Sequence, residues 1–172
     1  MHVLIATDGA LDGAAVARFA TRLAGEDGRV TVFTAVETNR NLLRELRSLY
    51  GERGDVTTDQ DAEYVGVHHA ASPVSSAWPG DDEMIGRYLR QQADRRTAGL
   101  VASLSELGIA AEVSVVESED PAKAIIAAID ELQADVVCVG SHGRGLFEGL
   151  LGSTGTKVAR RSPKPVLVMR SA

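Results

Sequence analysis

The chain has 172 residues, about the length of one domain, with 44% apolar residues, 24% charged residues, 4% aromatic residues and a net charge of −6. These proportions exclude wholesale disorder and fibrous or coiled-coil architectures, and the acidity and scarce aromatics argue against a nucleic-acid binder. The single cysteine, Cys138, excludes an internal disulfide framework and a multi-cysteine zinc site.

In chain order, Val3-Leu4-Ile5-Ala6 is a continuous apolar run of the kind buried on both faces of a parallel sheet. Asp12 is placed to cap a helix whose apolar stripe is Val16, Phe19, Ala20 and Leu23, with Gly25 and Gly28 ending it. Val30 to Val36 is rich in β-branched residues and reads as a second strand. From residue 37 to about 82 the pattern changes. Leu42, Leu43, Leu46 and Leu49 suggest a short helix, and glycines, prolines and scattered acids follow. A loop this long is unusual inside a compact domain and is expected to be a lid, a partner surface or partly disordered.

Regular structure resumes with Asp81 or Asp82 as a cap. A long stripe (Ile85, Tyr88, Leu89, Ala93, Leu100, Val101, Leu104, Leu107) is closed by Gly108. Ala111 to Val116 alternates as a third strand. Asp120-Pro121 is a cap and first-position pair for a helix carrying Ile125, Ile126, Ile129 and Leu132. Asp135 to Val139 is a fourth buried strand, and a glycine-rich loop runs from Gly140 to Gly152. A short helix from Ser153 to about Arg161 and a strand from Pro165 to Met169 complete the chain. Strands alternating with helices predict a Rossmann-like doubly wound α/β sheet of five mainly parallel strands with helices on both faces. Residues 1–172 are expected to form a single domain carrying the 37–82 segment. No run approaches the roughly 20 apolar residues of a membrane span. The opening residues lack the basic start of a signal peptide. A cytoplasmic protein is therefore expected.

The chemistry concentrates in the glycine-rich loop. It leaves the C-terminal end of a parallel strand, where open α/β sheets bind ligands. Glycines let backbone N–H groups approach an anion, and Ser153-Thr154 stand where the next helix begins, with its dipole favouring phosphate. The loop is neither a P-loop nor a dinucleotide fingerprint. Gly155-Thr156-Lys157 interposes a threonine between glycine and lysine, and Gly143-Arg144-Gly145 meets its next glycine, Gly149, one residue too far on. A turn that merely connects strand to helix is the plain alternative.

The strand end Thr7-Asp8-Gly9, the stretch from Asp135 to Arg144, Leu150-Leu151-Gly152-Ser153 and the stretch from Ser162 to Val168 together resemble the universal stress protein family. The resemblance covers nearly the whole chain, with residues 37 to 82 the poor match. The family's ATP-binding members carry G-x2-G-x9-G-[ST]. Here Gly140 and Gly143 keep the first spacing, and eight residues rather than nine lead to Gly152. The resemblance implies a nucleotide site in which Ala6, Thr7 and Ala35 border the base and Asp8 holds the ribose. Gly140, Ser141, His142, Gly143 and Arg144 would wall the ribose and phosphates, and Gly152, Ser153 and Thr154 would form the phosphate-binding helix start. It implies ATP, or ADP or AMP, as ligand, with any Mg²⁺ held by the phosphates. It also implies a homodimer paired through Val166-Leu167-Val168-Met169, and an adenine-nucleotide-binding stress-response or regulatory protein that switches an unknown regulatory partner protein. A non-nucleotide dimeric scaffold, and a slow ATPase or ATP-using transferase, stay open beside this reading. No catalytic residue set is discernible.

Among the other candidates, His68-His69 lack a third metal ligand, and Tyr64 and Trp78 belong to the long loop. Cys138 reads as a buried inert thiol, and Arg160-Arg161 complement a helix dipole.

Overall fold

Aliphatic and β-branched runs become strands wherever both of their faces are covered, and here helices cover both faces. The computed structural model describes residues 1–38, 81–141 and 151–170, the side chains of Asp81, Asp82 and Arg170 excepted. Strand β1 (His2–Ala6) is followed by helix α1 (Gly13–Ala24), β2 (Arg29–Val36), α2 (Asp81–Glu106), β3 (Glu112–Glu117), α3 (Pro121–Glu131), β4 (Val136–Ser141), α4 (Ser153–Arg161) and β5 (Val166–Arg170). The chain divides into two compact units, Met1–Thr38 with Gly86–Ala172, and Asn39–Ile85. The sheet and the site below lie in the first; of the second, only the opening residues of α2 are described. The short helix expected at Leu42 to Leu49, His68-His69, Tyr64 and Trp78 all lie outside the described residues.

The sheet has the order β3-β2-β1-β4-β5, and every pairing is parallel. This is the expected Rossmann-like doubly wound fold. Alternation along each strand sorts the core into two layers. Val3, Ile5, Val32 and Cys138 pack with α1 and with Leu100 and Leu104 of α2. Leu4, Phe33, Val137 and Val139 pack with Ile125 and Ile129 of α3 and Val158 of α4. Cys138 is fully buried, and burial pushes its thiol up to about 11. At the N-terminal end of the sheet, the His2 N–H donates to Asp135 at 2.7 Å, which holds that carboxyl below its ordinary value.

The expected helix caps are largely present. Asp12 accepts from the Ala15 N–H at 3.1 Å. Asp120 accepts from the N–H groups of Ala122 and Lys123. Gly108 adopts a φ of +80° after α2. There the Ile109 N–H reaches back to the Leu104 carbonyl at 3.0 Å, a Schellman closure. Three details differ from expectation. Asp81 and Asp82 lie within α2 rather than capping it. The buried stripe of α1 is Val16, Ala17, Ala20 and Ala24, and Phe19 is exposed, because small residues let α1 lie close on the sheet. Gly140 and Ser141 belong to β4 rather than to the loop after it, because the ladder with β5 continues to Ser141↔Arg170.

Candidate functional site

Strand order changes direction between β1 and β4, and the crevice above such a point is where open α/β sheets take ligands. A cleft of about 320 Å³ opens there. Its floor is made by the ends of three strands: Ala6 and Thr7 of β1 and its exit, Phe33 and Ala35 of β2, and Val139 to Ser141 of β4. The start of α3 (Pro121, Ile125) and the start of α4 (Ser153 to Gly155) form one wall. Arg96 of α2, with Ala10 and Leu11 of the β1–α1 turn, forms the other.

The β1–α1 turn is held by its own side chains. The Thr7 hydroxyl accepts from the Gly9 N–H at 2.9 Å, and Asp8 accepts from the Ala10 N–H at 3.0 Å. These bonds fold the chain so that the Asp8 carboxylate stands at the rim of the cleft, exposed. Gly9 has a φ of +96°, and a Cβ there would lie 3.3 Å from the Arg96 Cα. Glycine is required on both counts.

The three described helices with resolved N-caps differ in how their first N–H groups are met. Asp12 caps α1 and Asp120 caps α3, whereas α4 has Gly152 at its N-cap and receives no side-chain cap bond. The first turn of α4 therefore keeps free N–H donors and an uncompensated positive dipole end. Ser153 and Thr154 place it in the cleft wall. Asp120 is drawn below the ordinary carboxylate value chiefly by the Lys123 N–H, and Lys157 of α4 stands 3.6 Å from it. The acidic stretch before α3 thus serves as a helix cap tied to α4. Arg160 and Arg161 fall in the last turn of α4, where positive charge suits the dipole.

Of the residues expected at the site, Ala6, Thr7, Asp8, Ala35, Gly140, Ser141, Ser153 and Thr154 all border this one cleft. Gly152 does not line it; it is the N-cap of the helix whose start does. His142, Gly143 and Arg144 lie outside the described residues. Arg96 and Glu37 were not anticipated, and both line the cleft. The Arg96 guanidinium donates to the Ala35 carbonyl at 2.9 Å. No sequence signal marks Arg96, a polar position on a long amphipathic helix, 61 residues from its partner. Among the described residues no group of three His, Cys, Asp or Glu side chains is placed to hold a metal, and no helix is long and apolar enough to cross a membrane.

Comparison with known proteins agrees with this architecture. A universal stress protein of Mycobacterium tuberculosis is 31% identical over 120 residues, which is 69% of this chain and 39% of that protein. The chain thus spans about two fifths (39%) of the length of that curated relative. A universal stress protein from Archaeoglobus fulgidus, solved in complex with dAMP, superposes with a TM-score of 0.52 at 18% identity, over 98% of this chain and 96% of that one. A universal stress protein family protein from Arabidopsis thaliana, with AMP bound, gives 0.55 at 11% identity, over all of this chain and 92% of its own. The model of the universal stress protein family matches residues 1–170; the chain belongs to that family.

Proposed function

We propose that this protein binds adenine nucleotides, ATP among them, in the cleft between β1 and β4, and that it acts as a ligand-dependent regulatory switch in a stress response. The observation that carries this reading is the pairing of an uncapped helix start with a strand-end crevice. Ser153 and Thr154 present the free donors of α4 to a cavity of about 320 Å³. Donors fixed in that way suit a phosphate, which needs several N–H groups at once and a positive dipole behind them. The family relatives solved with AMP and dAMP support an adenine nucleotide as the occupant. Asp8, exposed at the rim, suits the ribose hydroxyls as an acceptor. His142, Gly143, Arg144 and Gly152 complete the phosphate wall in this reading. Any Mg²⁺ arrives with the phosphates.

The whole of residues 1–172 is read as one family domain, with 37–82 as a segment inserted in it, acting in the cytoplasm. The switch requires the nucleotide to favour one conformation over another, and the surface so changed is what a regulatory partner protein meets. Pairing of two copies along β5 belongs to the same reading.

Thermal melting with and without AMP, ADP and ATP tests it. A ligand at 100 times its Kd adds about 2.7 kcal/mol, which raises Tm by roughly 5–10 °C for a chain of this size. Ser153→Pro is the informative variant. Proline is tolerated at the first helical position, and the Gly152 ψ of 167° is extended, as a residue before proline requires. The variant keeps α4 and deletes two donors, the Ser153 N–H and its hydroxyl, so affinity falls at least about tenfold while the unliganded Tm stays. No shift with any of the three nucleotides overturns the reading and favours the dimeric scaffold.

A further inference from the structure

The end of the cleft away from α4 is built by Ala35 and Arg96. Alternation along β2 decides where the Ala35 carbonyl points. The Phe33 carbonyl accepts from the Thr7 N–H at 2.9 Å on the β1 side, and the Val36 carbonyl accepts from the Ser118 N–H at 3.0 Å on the β3 side. Ala35, two residues on from Phe33, therefore faces the β1 side. There β1 has ended at Ala6 and the chain turns away at Gly9, so the ladder ends before Ala35. Arg96 takes that carbonyl instead, Nη1 donating at 2.9 Å. A guanidinium carries five N–H donors in a planar fork. Among the described residues this bond is the one hydrogen bond the Arg96 guanidinium makes, and the half-buried side chain lines the cleft.

Resting on the nucleotide reading above, a phosphate at α4 sits beyond β4, and the far end of the same ligand falls over β2. Strands β2 and β4 are two spacings apart, with β1 between them, or about 10 Å. We propose that Arg96 is a ligand-contacting residue that makes this end of the cleft read hydrogen-bond acceptors, so that the site takes 6-oxopurine nucleotides at least as tightly as 6-aminopurine nucleotides. The chemistry is a matter of matching edges. The 6-amino group of adenine is a donor that the donor-only Arg96 guanidinium cannot meet, and Arg96 already takes one lone pair of the Ala35 carbonyl. A 6-oxo group with N7 offers two adjacent acceptors, the edge a guanidinium fork meets bidentately.

Calorimetric titration of AMP and IMP, which differ at this edge, tests the proposal. Three proteins are compared: wild type, Arg96→Met (which keeps an aliphatic stem against Gly9 and loses every donor) and Arg96→Lys (which keeps the charge and loses the fork). Wild type binds IMP at least as tightly as AMP. Both variants shift the IMP-to-AMP affinity ratio at least tenfold towards AMP, equivalent to about 1.4 kcal/mol. Either variant alone suffices if the other does not fold. A ratio unchanged within twofold, or equal losses on both nucleotides, overturns the proposal, since it assigns Arg96 stacking or plain charge instead. Wild type that binds AMP and rejects IMP overturns it while leaving the nucleotide reading intact. Wild type that binds neither overturns both.

Discussion

Gly9 is where local geometry and the site depend on a single atom. Its φ of +96° costs an L-residue strain, and its missing Cβ leaves room for the Arg96 backbone at 3.3 Å. Gly9→Ala is expected to lower stability by about 1–3 kcal/mol, seen as a drop in Tm of several degrees, because a backbone contact cannot yield as a flexible side-chain end can. The same substitution pushes α2 away from the turn, so the Arg96–Ala35 bond weakens with it. The Thr7-Asp8-Gly9 signal was legible in the sequence because all three residues act within one turn. Arg96 was not, since nothing in its neighbours distinguishes it from the other polar positions of α2.

The helices divide by how they begin, and that division matters more to the site than their lengths. An acid at the N-cap satisfies α1 and α3, and a glycine leaves α4 open. Asp120→Ala is expected to lower stability, read as a lower midpoint in denaturant unfolding, and to loosen the hold of Lys157 on the start of α3. Because the Asp120 carboxyl lies below its ordinary value of 3.8 in the folded state, its stabilisation is complete above that value. It is lost as the pH falls through the lower, folded-state value. An acid titration of stability therefore shows a slope below about pH 4 that the Asp120→Ala variant lacks in part. The Asp120-Pro121 pair, like Asp12, was readable from the sequence because capping is a relation between residues two or three apart. The α1 stripe was misplaced by one face at Phe19, since periodicity marks an apolar side without saying how closely it can approach the sheet.

Among the described residues the sheet ends in two edge strands, β3 and β5, and in β5 the apolar Val168 is 45% exposed. An apolar edge strand calls for a partner. If two copies pair along β5 as proposed, Val168→Lys converts the dimer to a monomer in light scattering and leaves the fold intact, since the residue lies on the surface; a wild-type monomer at high concentration removes the β5 pairing from the proposed function. The order of strands and helices, the caps at Asp12 and Asp120 and the position of the α4 start were legible in the sequence itself. Each rests on hydrophobic period or on a cap within a few residues of its target. The strand order, the cleft that the order creates and the meeting of Ala35 with Arg96 were decided only by the tertiary structure. Parallel pairing joins strands far apart in the chain, and no local pattern states which neighbour a buried strand will take or which distant side chain will reach the carbonyl its neighbour leaves behind.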